Sequence, residues 1–335
     1  MRSSWWFKII TACIISLVLL WGGYVLSNTG QKNETVDMFP NKEIEVIVGW
    51  GQGGGTDIFA RAITKPVSDK FGVPIKIRNI PGSSENVAGE FVLEQPADGY
   101  TLWAMTTSYI VSSILGNTED RLKDYIPIAR IQHDTSTIQV SGKGAFKNID
   151  EVVNYAKANP GKLKMGGSGI GSFDEVMVAL FEEAAGIDLR YIAFEDASLM
   201  HGALLDGKVD VIIEEFGPTI QFIEKDVIIP VIAFTDKRIE DFPNLPISVE
   251  KGWDVTLGVW RGLMVKAGTP PNVIDTLVDA FAEAYDDPGY KESERLRYLH
   301  LRPGLLKSDD FQKTLQQEID LYAKVLKKLG YIKQP

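Results

Sequence analysis

Residues 48–57 read "VGWGQGGGTD" and run directly into "IFARAIT". Five of the ten are glycine, behind the apolar, β-branched run "IEVIV" and ahead of a helical pattern that ends at Gly72. That is strand, glycine loop, helix. The periodicity continues outward: the strand "PIKIRN", the helix "NVAGEFVLEQ", the turn "PADG" and the strand "YTLWAMT" predict an α/β unit with a largely parallel sheet.

A second unit of the same grain begins near residue 137. "TIQVSG", the helix "IDEVVNYAKANP" and the strand "KLKMGG" lead into a second glycine-rich loop, "GSGIGS". The helix "FDEVMVALFEEAAG", the strand "RYIAF", the helix "ASLMHGALLDG" and the strands "DVIIEE" and "VIIPVIAF" complete it. The tail is helical. Thr269 is the expected N-cap of one segment, with Pro270 at its first position. In another, Phe311, Leu315, Ile319, Tyr322 and Leu326 form one apolar stripe.

The chain has 335 residues, enough for two domains, with 44% hydrophobic and 24% charged residues. Its 45 acidic against 35 basic residues give a net charge of −10, which speaks against a nucleic-acid partner. A small anion remains compatible, because one helix terminus can hold it. At the N-terminus, Arg2 and Lys8 precede residues 9–26, eighteen residues without a charge. This is a signal peptide or an N-terminal membrane anchor (1–26), followed by a polar spacer (27–38), and it places the remainder outside the cytoplasm. Cys13, the only cysteine, lies inside the apolar run, where it is a small membrane-segment residue rather than an acylation site.

Three chemistries compete for the first glycine loop. A phosphate-cradling P-loop needs a lysine after its glycines, and none follows here. A dinucleotide fingerprint is met by Gly49, Gly51 and Gly54, with Arg78 at the end of the next strand to meet a 2′-phosphate, so an exported NADP-linked oxidoreductase is the alternative reading. The third is carboxylate capture, in which unobstructed backbone N–H groups and the helix dipole hold an anion and Thr56 adds a hydroxyl. Plain helix capping by Thr56 and Asp57 competes with that role. Ser168 and Ser172 in the second loop repeat the device, with Ser172 a natural N-cap. One such loop per domain is what a cleft closing on a small anion requires.

At these two loops the sequence resembles the extracytoplasmic solute-binding receptors of the tripartite tricarboxylate transporter family, the Bug-type receptors. The resemblance is carried by "FPNKEIEVIVGWGQGGGTDIFAR", "IKIRNIPGSSENVAG", "PADGYTL", "NPGKLKMGGSGIGS", "LLDGKVDVII" and "WRGLMVKAGTPPNVIDTLVDAFAEA", and spans residues 39–332. It implies a two-domain periplasmic-binding-protein type II fold with a hinge and an interdomain cleft, domain 1 comprising 39–138 and 236–335 and domain 2 comprising 139–235. It implies a small carboxylate as ligand, integral-membrane transporter subunits as partners, and a monomer without cofactor. The implied grip comes from Gly53, Gly54, Gly55, Thr56 and Asp57, from Ser83, Ser84 and Asn86, and from Thr106, Thr107 and Ser108. Domain 2 adds Ser168, Gly169 and Ser172 with the segments around Phe194 and Glu214.

The departures from the family pattern bear on the ligand. Ser84 and Glu85 replace two glycines, "FDE" with Asp174 follows "GS", Glu195 and Asp196 stand where a lysine and a glycine are usual, and the strand "DVIIEE" ends in Glu214-Glu215. A lost lysine and added acids disfavour a di- or tricarboxylate by Coulomb repulsion. The expectation is a ligand with fewer negative charges, a monocarboxylate or an amino acid, the latter's ammonium facing Glu195 or Glu214. The competing expectation is that these acids face solvent. No catalytic constellation appears: His133, His201 and His300 lack metal-ligand spacing, and Ser168 lacks a nucleophile elbow. Neither an enzyme nor a metal site is expected.

Overall fold

The first glycine loop lies where the pattern put it, between a buried strand and a helix. The computed structural model describes residues 39–116 and 119–332. The signal or anchor segment, Cys13 and the spacer lie outside the described residues. Among the described residues no helix is long and apolar enough to cross a membrane. Lys42–Pro335 forms one compact unit. In the first half, β1 (Ile44–Val48), α1 (Gly55–Phe71), β2 (Ile75–Asn79), α2 (Asn86–Glu94), β3 (Thr101–Thr106) and α3 (Thr107–Leu115) alternate, and β4 (Tyr125–His133) follows. The second half holds β5 (Ser136–Ser141), α4 (Ile149–Ala158), β6 (Lys164–Ser168), α5 (Phe173–Ala185), β7 (Arg190–Phe194), α6 (Ala197–Leu205), β8 (Val211–Glu215), α7 (Phe216–Ile223) and β9 (Ile228–Ala233). The chain then returns through β10 (Trp260–Lys266), α8 (Pro271–Tyr285), α9 (Pro288–Leu296), β11 (Leu306–Lys307) and α10 (Ser308–Lys328).

Two sheets result, ordered β11-β4-β10-β3-β1-β2 and β7-β6-β8-β5-β9. They are mixed rather than largely parallel. β1 runs parallel to β2 and β3, and β6 parallel to β7 and β8. By contrast, β10 is antiparallel to β3 and β4, and β5 to β8 and β9. The returning strands escape simple periodicity because β4 carries Pro127 and Arg130 and pairs with β10 through irregular registers. The chain leaves the first sheet after His133 and enters the second at Ser136, so β5 straddles the expected boundary at 138/139.

One apolar core runs behind both sheets. Trp103 packs edge-on to Tyr109 at 4.6 Å and against Tyr125 at 4.9 Å. The α10 stripe buries Phe311, Leu315, Tyr322 and Leu326, with Ile319 half-buried. Phe311 meets Trp260 of the first lobe at 5.0 Å, and Tyr322 meets Phe173 of the second at 6.3 Å. Each such aromatic contributes about 1.5–3 kcal/mol by burial, so α10 braces both lobes. At α8 the expected cap shifts by one: Pro270 is the N-cap and Pro271 the first helical residue, while the Thr269 hydroxyl donates to the Lys266 carbonyl.

The crossovers between lobes, at 134–135 and within 234–259, meet at one side chain. Arg302 donates from Nε to the Thr135 hydroxyl (3.0 Å), from Nη1 to the Thr256 carbonyl (3.0 Å) and from Nη2 to the Phe234 carbonyl (2.8 Å). Beside it, burial, together with the Arg302 and Arg130 charges, lowers His133 to about 3, so its imidazole is neutral.

Candidate functional site

The carboxyl ends of β1, β3, β6, β7 and β8 converge on one cavity between the lobes, the position where open α/β sheets bind ligands. The first lobe contributes Trp50, the Gly54–Thr56 turn, Thr106 and Arg261; the second contributes Ser168, Asp174, Phe194, Glu195, Glu214 and Glu215. The cavity volume is about 40 Å³.

α1 begins at Gly55 with Gly54 as a cap that offers no side-chain bond. The N–H groups of Gly54, Gly55 and Thr56 therefore lack intrahelical acceptors. Asp57 makes this turn rigid rather than capping it in the expected way. Its carboxylate accepts from the Gly53 N–H (3.1 Å), from Arg61 (2.9 and 3.0 Å) and from Asn79 (3.1 Å). Burial alone would raise its pKa, but these bonds outweigh burial and hold it below its ordinary range. Gly55 leaves no room for a side chain, since a Cβ there would collide with the Arg261 guanidinium.

Arg261 is buried where β10 faces the second lobe. Its Nη2 donates to Glu215 at 2.8 Å, its Nη1 to Asp134 at 3.3 Å and its Nε to the Thr56 hydroxyl at 3.4 Å. Burial alone would lower its pKa, but the Glu215 and Asp134 charges outweigh it and keep the guanidinium ionised. Sequence reasoning missed this residue. Its signal was a lone charge in an apolar strand, "WRGLMV".

Three acids of the second lobe do not face solvent. Glu214 and Glu215 are 6% and 5% exposed, and Asp174 is 8% exposed. Glu214 pairs with the buried His201 of α6 at 2.9 Å. Asp174 accepts the Ser168 N–H at 2.9 Å. Burial raises it to about 7 and Asp134 to about 6, and raises Glu215 well above its ordinary range. Glu195 is exposed at the rim, whereas Asp196 caps α6 by accepting from Ser198 and Leu199.

Of the residues of the implied grip, Gly54, Gly55, Thr56, Thr106, Ser108, Ser168, Phe194 and Glu214 line the cavity. The others surround it in supporting positions. Thr107 accepts the Trp260 N–H (3.0 Å), and Ser172 caps α5 by accepting the Glu175 N–H (3.3 Å). Ser84 donates across the cleft to the Ile170 carbonyl at 2.6 Å, and a Cβ on Gly169 would strike it. Ser83, Ser84 and Glu85 hold φ of 49°, 49° and 75°, a strained run costing roughly 1–3 kcal/mol per residue. Two of these positions are those where the resembled pattern carries glycine. Glu85 offsets the strain by accepting the Thr106 N–H (3.1 Å) and hydroxyl (2.8 Å), and burial raises it to about 8.

The dinucleotide reading loses its parts here. A Cβ on Gly49 would lie 2.8 Å from Glu85, so that glycine accommodates a side chain of its own chain. Arg78 pairs with Glu45 (3.8 Å) and stacks on Phe91, away from the cavity.

Residues 59–331 match the tripartite tricarboxylate transporter family receptors. The chain belongs to that family. It is 26% identical to a UPF0065 protein of Cupriavidus necator, over 89% of this chain and 90% of that one. Among solved structures, the periplasmic binding protein BugD superposes with a TM-score of 0.81 at 24% identity, covering 88% of this chain and 100% of that one. A Rhodopseudomonas palustris protein solved with adipate gives 0.79 at 25% identity, covering 87% and 98%. The two-lobed architecture is thus that of the periplasmic solute-binding receptors, a class of binding proteins rather than enzymes.

Proposed function

We propose that this receptor captures a small carboxylate between its two lobes, outside the cytoplasm, and presents it to integral-membrane transporter subunits. The observation that carries the reading is the interlobe cavity, where the unpaired N–H groups of the α1 turn face Ser168 across a gap of solute size. Ligand carboxylate oxygens take the Gly54–Thr56 amides, while Thr106 and Ser108 border the same wall. The relative solved with adipate supports a carboxylate as the class of ligand. The lobes, 39–138 with 236–335 and 139–235, move about the crossovers, and ligand contacts to both offset the cost of ordering them. A monomer with residues 9–26 as signal or anchor completes the reading. Calorimetric titration of the whole chain with mono-, di- and tricarboxylates and with NADP tests it. Binding of at least one carboxylate and none of NADP is expected; binding of NADP alone would overturn it.

A further inference from the structure

The cleft is polarised. Its first-lobe wall offers the α1 amides and Arg261, whose charge Glu215 and Asp134 already balance. The second-lobe wall adds Asp174, Glu214 and Glu195. Asp174 carries the decisive observation: it is 8% exposed, lines the cavity, is held by Ser168, and forms an ion pair with no cation among the described residues. A carboxyl so placed either keeps its proton or takes a counter-charge, and among the described residues no side chain forms an ion pair with it. Among the described residues no three acidic, His or Cys groups converge as metal ligands. A spread acidic wall suits an ammonium, whose N–H donors diverge.

Resting on the receptor reading above, we infer that the ligand is an amino-carboxylate, its carboxylate on the α1 turn and its ammonium against Asp174, with Glu195 at the rim. The like charges that burial leaves around Asp174 are those a bound ammonium relieves.

Calorimetry on the whole chain with three matched pairs tests this: alanine and propionate, 4-aminobutyrate and butyrate, 6-aminohexanoate and hexanoate, with malate and adipate alongside. In at least one pair the amino member is expected to bind at least tenfold more tightly. Asp174→Asn, or Glu195→Gln should the first variant fold poorly, is expected to erase that preference without weakening the des-amino member. Equal or tighter binding of the des-amino member in every pair, or binding of malate or adipate alone, overturns the inference and leaves the receptor reading standing. A preference unchanged in both variants overturns the assignment to these acids. No binding of any of the eight compounds overturns the inference, and the receptor reading falls with it only if tricarboxylates also fail to bind.

Discussion

Among the described residues Arg261 is the one cation in the cavity wall, and two buried acids depend on it. Removing one partner of a buried pair leaves the other uncompensated, at a cost of about 3–5 kcal/mol. Arg261→Met is therefore expected to lower the unfolding free energy by about that amount in urea titrations, with Arg261→Lys between it and the wild type. Glu85 gives a pH dependence of definite sign. The fold keeps a proton on it up to about 8, whereas the unfolded chain releases that proton near the ordinary 4.5. Stability then falls as pH rises from about 4.5 to about 8 and levels off above that. Glu85→Gln, which keeps the acceptor for Thr106, is expected to flatten this limb in urea titrations across pH; an unchanged slope would contradict the assignment.

Among the elements, α5 offers a direct check. Ser172 accepts from Glu175 at the head of the helix, so Ser172→Ala should cost about 1 kcal/mol, read as a lowered thermal midpoint. That cap, β1 to β3 and β5 to β9 were legible because period-two and period-3.6 patterns and cap residues are local properties of the chain. β4 and β10 were not, since Arg130, Pro127 and Arg261 break the apolar pattern for tertiary reasons: Arg130 donates to the Gly304 and Pro303 carbonyls, and Arg261 serves the cleft. The glycine loops were legible as strand-to-helix turns, yet Asp57 proved to be a brace for the turn. The acids of β8 were visible as departures from a pattern. Their burial was not, because it depends on a lobe distant in sequence.

At the scale of the whole molecule, the lobes share α10, Arg302 and the bonds across the cleft. Arg302 ties both crossovers with three charge-assisted bonds, each worth on the order of 1.5–3 kcal/mol. Arg302→Ala is expected to lower stability by several kcal/mol and to enlarge the ligand-free particle in small-angle scattering. An unchanged radius of gyration would show that the crossovers hold their angle without it. The strand order carries a further consequence. The second sheet is built from one uninterrupted stretch, β5 to β9, whereas the first has β10 wedged between β3 and β4 and β11 at its margin. A chain emerging from its N-terminus can close the second sheet while the first still has a gap at its centre, since that gap is filled only by residues 260–266. Long-range pairing of this kind is slow to form, so the lobe bearing the glycine turn matures last. The cleft then takes its shape only after residues near the end of the chain have arrived, and the receptor cannot engage its solute while partly made.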